Sequence, residues 1–224
     1  MASEPESSQT AIVLVNGLID EIEVVRARLR ACPDAPVIAA DAGARHAGAL
    51  GLRLDAVVGD LDSLGADEAA RLRERGVAVE RAPTHKDETD FELALLYAVQ
   101  RGASRIVVVG ALGGRLDMAL ANIQLIAHPA LAAIRVELWS GRQTAWIIRP
   151  PGAEMDGQPG DTLSLIPLGG AAVGVTTHRL AYPLNDETLP IGPARGVSNV
   201  FEESSARVDL REGLLLAVHT PGHA

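Results

Sequence analysis

Four aspartates, Asp60, Asp62, Asp87 and Asp90, crowd around Lys86, the only lysine in the chain, within two short stretches, VVGDLDSL (57–64) and THKDETDFELAL (84–95). A third stretch, GALGGRLDMALAN (110–122), adds paired glycines, Arg115 and Asp117. Carboxylates alone suggest a cation. Carboxylates together with a lysine, an arginine and flexible backbone suggest a cation that carries phosphates, because each charge then has a partner.

The first stretch reads as extended around Gly59-Asp60-Leu61-Asp62-Ser63. Residues two apart on an extended chain point the same way, so Asp60 and Asp62 are expected to offer both carboxylates to one hard cation while Leu61 turns into the core. Mg²⁺ takes a few carboxylates plus phosphate and water oxygens, which suits the pair. The structural alternative is that one aspartate caps the following helix with help from Ser63, a task that needs a single acceptor. In the second stretch Thr89 and Glu92 match the capping box S/T-x-x-E, and Asp90 in the first helical turn gains from the helix dipole. Those roles leave Lys86 and Asp87 unexplained, whereas His85 reads as a loop histidine. With 19 arginines against one lysine, Lys86 is either a chance survivor on the surface or a place where a compact ammonium does what a guanidinium fork cannot. The third stretch is a glycine turn between a strand and a helix, neither a P-loop nor a dinucleotide fingerprint. Gly113 and Gly114 allow backbone amides close to an anion, and Arg115 is suited to grip phosphate oxygens. Asp117 reads first as the N-cap of a helix over 117–127.

The elements that must position these residues follow from apolar periodicity. Strands are expected at 11–16, 36–43, 54–60, 77–82 and 105–111, several too uniformly apolar for a one-sided sheet, with helices at 20–31, 67–75, 89–101 and 117–127. Such alternation predicts a parallel α/β sheet with right-handed crossovers. Its ligands collect where strands end, and the loops after four of these strands, Asp41 to Gly43, Gly59 to Asp62, Thr84 to Asp90 and Gly110 to Asp117, are expected to open on the same edge. Beyond about residue 130 the pattern changes to short strands at 135–140, 144–150, 161–168, 171–177, 198–203 and 214–219, separated by Gly, Pro and Asp, which reads as an all-β sandwich or small barrel. The expected organisation is a tail over 1–10, an α/β domain over 11–130 and a β domain over 135–224.

Composition narrows the function classes. The formal net charge of −9 argues against a nucleic acid partner and favours a cationic substrate or a metal. No apolar run approaches the roughly 20 residues of a membrane span, and the polar start lacks the plan of a secretory signal. Cys32 is the only cysteine, so no intrachain disulfide exists, in keeping with a reducing cytoplasm. Hydrophobic residues make up 47% of the chain, enough for a core without disulfides.

Taken in order, Asp41-Ala42-Gly43-Ala44, Gly59 to Ser63, Lys86 to Asp90, Gly110 to Asp117 and Ser198-Asn199 match a run of motifs that resembles the thiamine pyrophosphokinase (thiamine diphosphokinase) family from about Val37 to the C-terminus. The resemblance implies a Rossmann-like α/β catalytic domain followed by a β-sandwich, and Mg²⁺-dependent transfer of the pyrophosphoryl group of ATP to the hydroxyl of thiamine with release of AMP. It implies that Asp60, Asp62 and Asp90 hold Mg²⁺ and that Lys86, Asp87, Thr89, Gly113, Gly114 and Arg115 border the triphosphate. Asp60, Asp62, Asp87, Asp90 and Arg115 would form the catalytic set, and Asp87 or Asp117 would accept the hydroxyl proton. Asp41 and Asp117 would lie at the thiamine end with Tyr182, Ser198 and Asn199, the last two supplied by the partner of a cytoplasmic homodimer whose thiamine site lies where the subunits meet. Met118 and Arg45 depart from the family pattern, which commonly has histidine and asparagine there. Rival readings are a haloacid-dehalogenase-like phosphatase with Asp60 as nucleophile, a pyrophosphokinase for another alcohol such as a pterin, and a non-enzymatic thiamine or nucleotide sensor.

Overall fold

A computed structural model of the chain describes residues 9–62, 65–82 and 87–222. Ser63, Leu64, Pro83, Thr84, His85 and Lys86, with residues 1–8 of the expected tail over 1–10, lie outside the described residues; Thr10 already belongs to a strand. The chain is mixed α/β and divides into two compact units between Gly141 and Arg142.

The first unit runs β1 (Thr10–Leu14), α1 (Ile22–Leu29), β2 (Val37–Ala40), a 3₁₀ turn (Asp41–Arg45), α2 (His46–Leu50), β3 (Ala56–Gly59) and α3 (Ala66–Glu74). It continues through β4 (Ala78–Arg81), α4 (Asp90–Gln100), β5 (Arg105–Val109), α5 (Leu116–Leu125), a 3₁₀ turn (Pro129–Leu131) and β6 (Arg135–Ser140). Its strands lie in the order β6-β5-β1-β2-β3-β4, every pair parallel. Alternate residues supply both faces: Ile12 and Leu14 pack with Val25 and Leu29 of α1, while Val13 is buried on the opposite side. Phe91, Ala94, Leu95 and Ala98 form the buried stripe of α4, which lies against β1, β2 and β3. Both faces are therefore covered, as the uniformly apolar strands require.

The strand order carries a positional consequence. From β1 the chain steps outward through β2, β3 and β4, then returns to place β5 on the other side of β1. The reversal between β1 and β5 opens a crevice at the carboxyl ends of those strands, the place where open α/β sheets accept ligands.

The stretch 135–140, expected to begin the β domain, instead forms β6, parallel to β5 with Arg105 opposite Arg135 and Val109 opposite Trp139. Its polar centre, Glu137, is 4% exposed and is held by Arg105 Nη2 (2.8 Å), Arg135 Nε (2.5 Å) and Trp139 Nε1 (3.2 Å). Burial works against its ionisation, but the N–H groups of Arg105 and Arg135 outweigh that cost and hold its carboxyl below the usual range.

The second unit is built from antiparallel pairs only. One sheet has the order β12-β9-β14-β7, formed by Asn199–Val200, Thr162–Pro167, Leu215–Thr220 and Gln143–Ile148. The other has the order β11-β10-β13-β8, formed by Glu187–Leu189, Ala172–His178, Ser205–Asp209 and Gly152–Asp156. Trp146, Ile148, Leu163, Leu165 and Ala217 of the first sheet share one core with Met155, Val175, Leu189, Ala206 and Val208 of the second. Three of the four strands in that second sheet, β8, β11 and β13, are absent from the periodicity reading. They are short, charged strands that bury only alternate side chains, so they show no apolar run.

Candidate functional site

The carboxyl edge of the parallel sheet gathers three carboxylates. Asp41 follows β2 directly, Asp60 follows β3, and Asp90 is the first residue of α4. Ala40 and Val58 are register partners on neighbouring parallel strands, so residues that leave those strands are brought together. Asp41, Asp60 and Asp90 each offer a carboxylate oxygen, all within 4.8 Å of one another. Asp41 is buried, and among the described residues its Oδ1 has no hydrogen-bond partner. Gly59 makes the approach possible: a Cβ there would stand 3.0 Å from Asp41 Cβ and 3.0 Å from Asp90 Cγ and Oδ1. Like charges this close repel unless a cation or proton intervenes, and an all-oxygen donor set with one buried, unspent oxygen fits a hard divalent cation such as Mg²⁺.

Asp62 does not join this group, contrary to the expected Asp60–Asp62 pair. The expectation required an extended segment, whereas Leu61 adopts a φ of 65° and is buried. That reversal ends the alternation, leaving Asp62 exposed with its backbone N–H donating to Asp60 Oδ1 at 3.0 Å. Asp41 takes the third position instead. Its signal was present in the sequence, an aspartate directly after an apolar strand adjacent to the one ending at Gly59, but the resemblance had assigned it to the substrate end.

Thr89 is the N-cap of α4, its hydroxyl accepting the Glu92 N–H at 3.2 Å, the cap half of the expected capping box, and it starts the helix that delivers Asp90 to the cluster. Asp87 is exposed in the preceding loop. Lys86, the centre of the sequence reading, lies outside the described residues.

The glycine turn after β5 forms the second part of the site. Gly110 adopts a φ of 77° against the end of β1, where its carbonyl accepts the Gly17 N–H at 2.7 Å and a Cβ would fall 2.2 Å from the Val15 carbonyl oxygen. Gly113 and Gly114 also have positive φ, 81° and 73°. Residues 15–18, this turn, Met118 and Asn122 line a cavity of about 260 Å³ in the crevice between β1 and β5. His46 Nε2 lies 2.9 Å from the Gly17 carbonyl oxygen, tying α2, the helix that follows the Asp41 turn, to the same wall. Sequence reasoning missed Asn122. It is the buried residue of α5, and its Nδ2 donates to the Ala111 carbonyl at 2.7 Å, anchoring the glycine turn. The available signal was an amide facing inward on a helix whose Leu116 and Leu120 face out.

Arg115 grips Asp117 through two hydrogen bonds, Nε to Oδ1 at 3.1 Å and Nη2 to Oδ2 at 2.6 Å, with both side chains exposed. The Arg115 guanidinium, and after it the Met118 backbone N–H, hold the Asp117 carboxyl below its usual range, while Asp117 raises Arg115. Arg115 occupies the N-cap position of α5; Asp117 sits within the first turn rather than at the cap, correcting that expectation.

In the second unit Tyr182, Ser198 and Asn199 are brought together. Tyr182 is 59% exposed, whereas Asn199 is 4% exposed and bonds the Tyr182 backbone from both sides, Tyr182 N–H to Oδ1 at 2.9 Å and Nδ2 to the Tyr182 carbonyl at 2.7 Å. Ser198 adopts a φ of 58° and donates its backbone N–H to Ser164 Oγ at 3.1 Å. Among the described residues no helix is long and apolar enough to cross a membrane.

The chain is similar to known proteins in both sequence and fold. Residues 33–138 match the family described as thiamin pyrophosphokinase, catalytic domain, and residues 152–215 match thiamin pyrophosphokinase, vitamin B1 binding domain. A thiamine pyrophosphokinase of Bacillus subtilis is 29% identical over 165 residues, 72% of this chain and 76% of that protein. The fold is similar to the crystal structure of Bacillus subtilis thiamine pyrophosphokinase, with a TM-score of 0.80 at 24% identity covering 95% of this chain and 99% of the other. It is likewise similar to a thiamin pyrophosphokinase family protein from Enterococcus faecalis, with a TM-score of 0.77 at 26% identity over 95% and 99% of the two chains.

Proposed function

Because the chain belongs to the thiamine pyrophosphokinase family, we propose that it binds ATP and thiamine and moves the terminal pyrophosphoryl group of ATP to the thiamine hydroxyl. The hydroxyl oxygen forms a bond to the β-phosphorus, the bond from that phosphorus to the oxygen of the α-phosphate breaks, and AMP leaves. The family placement displaces the phosphatase, pterin and sensor readings. The observation that carries the proposal for this chain is the cluster of Asp41, Asp60 and Asp90 packed over Gly59, on the same sheet edge as the glycine turn.

In this reading Asp41, Asp60 and Asp90 hold Mg²⁺, and Asp62 stays at the exposed rim. The ion, when bound, supplies positive charge to the phosphate oxygens. Gly113 and Gly114 turn the backbone towards the polyphosphate, with Asn122 holding the turn in place. Arg115, exposed and already in a forked geometry, exchanges Asp117 for phosphate oxygens; Lys86, Asp87 and Thr89 border the triphosphate. Alignment and charge neutralisation supply most of the rate in such transfers. Asp117 is held ionised by Arg115, which makes it a weak proton acceptor until that pair opens; Asp87 is the other candidate acceptor. Tyr182 stacks against the cationic heteroaromatic thiamine. The proposal extends to a Rossmann-like first domain, a β-sandwich second domain, and a cytoplasmic homodimer with thiamine bound where the subunits meet.

The test is direct: incubation with ATP, Mg²⁺ and thiamine is expected to yield thiamine diphosphate and AMP in equal amounts. Phosphate released from simple monoesters, or ligand binding with no AMP, would overturn it.

A further inference from the structure

We propose that Asn199 is a positioning residue that acts on the substrate only through Tyr182. The inference rests on the reading of Tyr182 as the aromatic side chain against which the cationic ring lies. A carboxamide has four hydrogen-bonding positions, two lone pairs and two N–H groups. Asn199 spends three of them on backbone: Oδ1 accepts the N–H of Tyr182 and of Val200, each at 2.9 Å, and Nδ2 donates to the Tyr182 carbonyl at 2.7 Å. Its side chain is buried, so the amide is engaged with its own chain rather than displayed to a ligand.

The surrounding pairing explains why the amide is needed there. The Glu202 N–H donates to the Arg179 carbonyl at 3.1 Å, Leu180 bridges Phe201, and the Ala181 N–H donates to the Val200 carbonyl at 2.9 Å. This short antiparallel ladder runs out at Tyr182, because Ser198 reverses the chain with a φ of 58°. The Asn199 carboxamide, a donor and acceptor with the spacing of a peptide group, supplies the missing rung. Its placement does more than brace the fold. Leu180 and Leu184, 4% and 1% exposed, already root the segment in the core on either side. Tyr182 between them faces outward and adds little to that core, so fixing both of its backbone polar groups chiefly fixes where an exposed ring stands. Pro183 further restricts the Tyr182 backbone to extended conformations. A ring held in place before binding loses less freedom on contact, which strengthens its hold on a planar cationic ligand.

A double-mutant cycle with Tyr182→Ala, Asn199→Ala and the double variant separates positioning from contact. Thiamine KM is expected to rise about tenfold for Tyr182→Ala and by a similar factor for Asn199→Ala, with ATP KM unmoved in both. The double variant is expected to be no worse than Tyr182→Ala alone, since Asn199 then has no ring to position. Asn199→Asp keeps both accepted bonds but sets a charged oxygen against the Tyr182 carbonyl, so its thiamine KM should rise at least as far as that of Asn199→Ala; Asn199→Ser carries the same cycle if Asn199→Ala does not fold. A further tenfold loss from the Asn199 change in the Tyr182→Ala background would mean direct contact and overturn the inference while leaving the proposed reaction standing. An unchanged thiamine KM in Tyr182→Ala would overturn the Tyr182 reading itself.

Discussion

Asp41 and Glu137 are both buried carboxylates at parallel strands of the same sheet, 6% and 4% exposed, yet they are built for opposite ends. Glu137 is surrounded by donors from Arg105, Arg135 and Trp139. Asp41 keeps an oxygen with no hydrogen bond among the described residues and stands near two further carboxylates. A buried charge that the chain itself satisfies contributes to folding; one left unsatisfied is a standing cost, tolerated where a ligand supplies the partner. Position explains the contrast. Glu137 lies within its strand, between neighbours that provide arginines, whereas Asp41 lies just past the strand end, where loops converge and bound ligands can enter.

The sharpest way to break the comparison is to neutralise each group. Asp41→Asn and Asp60→Asn are each expected to lower turnover by a factor on the order of 10²–10³ while leaving the metal-free melting temperature at or above that of the wild type. Added Mg²⁺ should raise the melting temperature of the wild type and not of these variants. A large loss of metal-free stability in Asp41→Asn would show that its carboxylate is structural after all. Glu137→Gln should do the reverse, lowering stability at neutral pH by about 3 kcal/mol, the lower range for breaking a buried ion pair, with kcat retained. The pH dependence has a defined sign. The folded carboxyl of Glu137 lies below its ordinary value of 4.5, so its stabilisation is complete above that value and is lost as pH falls through the folded one. Acid melts of Glu137→Gln should therefore lack that part of the decline, and an unchanged slope would remove Glu137 from the account.

Smaller effects sharpen the boundary of the site. Asp62→Asn is expected to cost at least tenfold less activity than Asp60→Asn at saturating Mg²⁺, because only Asp60 belongs to the cluster; equal losses would restore Asp62 as a ligand. Asp117→Asn should leave the melting temperature unchanged, since its ion pair with Arg115 is fully open to solvent. A measurable drop in the melting temperature would mean that the pair braces the glycine turn.

Much of this was legible in the residues. The apolar runs that became β1 to β5 announced a sheet covered on both faces, and Thr89 with Glu92 announced the start of α4. What stayed hidden was hidden for specific reasons. Parallel and antiparallel strands look alike locally, so nothing in residues 135–140 declared that β6 pairs with β5 in the first unit. The strands β8 and β13 carry charge on their open face and β11 is only three residues long, so none has an apolar signature. The Asp60–Asp62 pairing failed on one dihedral, the positive φ of Leu61, which no spacing rule reveals.

By itself the sequence determined which chemical groups the chain could bring to bear: carboxylates, a glycine turn, an arginine, a tyrosine, and strands apolar enough to form a sheet at whose edge the loops would meet. Those are properties of composition and local periodicity, which residues carry wherever they fold. The tertiary structure decided which carboxylates converge, that Asp41 rather than Asp62 completes the cluster, and that Asn199 spends its amide on Tyr182. These depend on register between strands far apart in the chain and on single backbone dihedrals, and only the packed molecule fixes those.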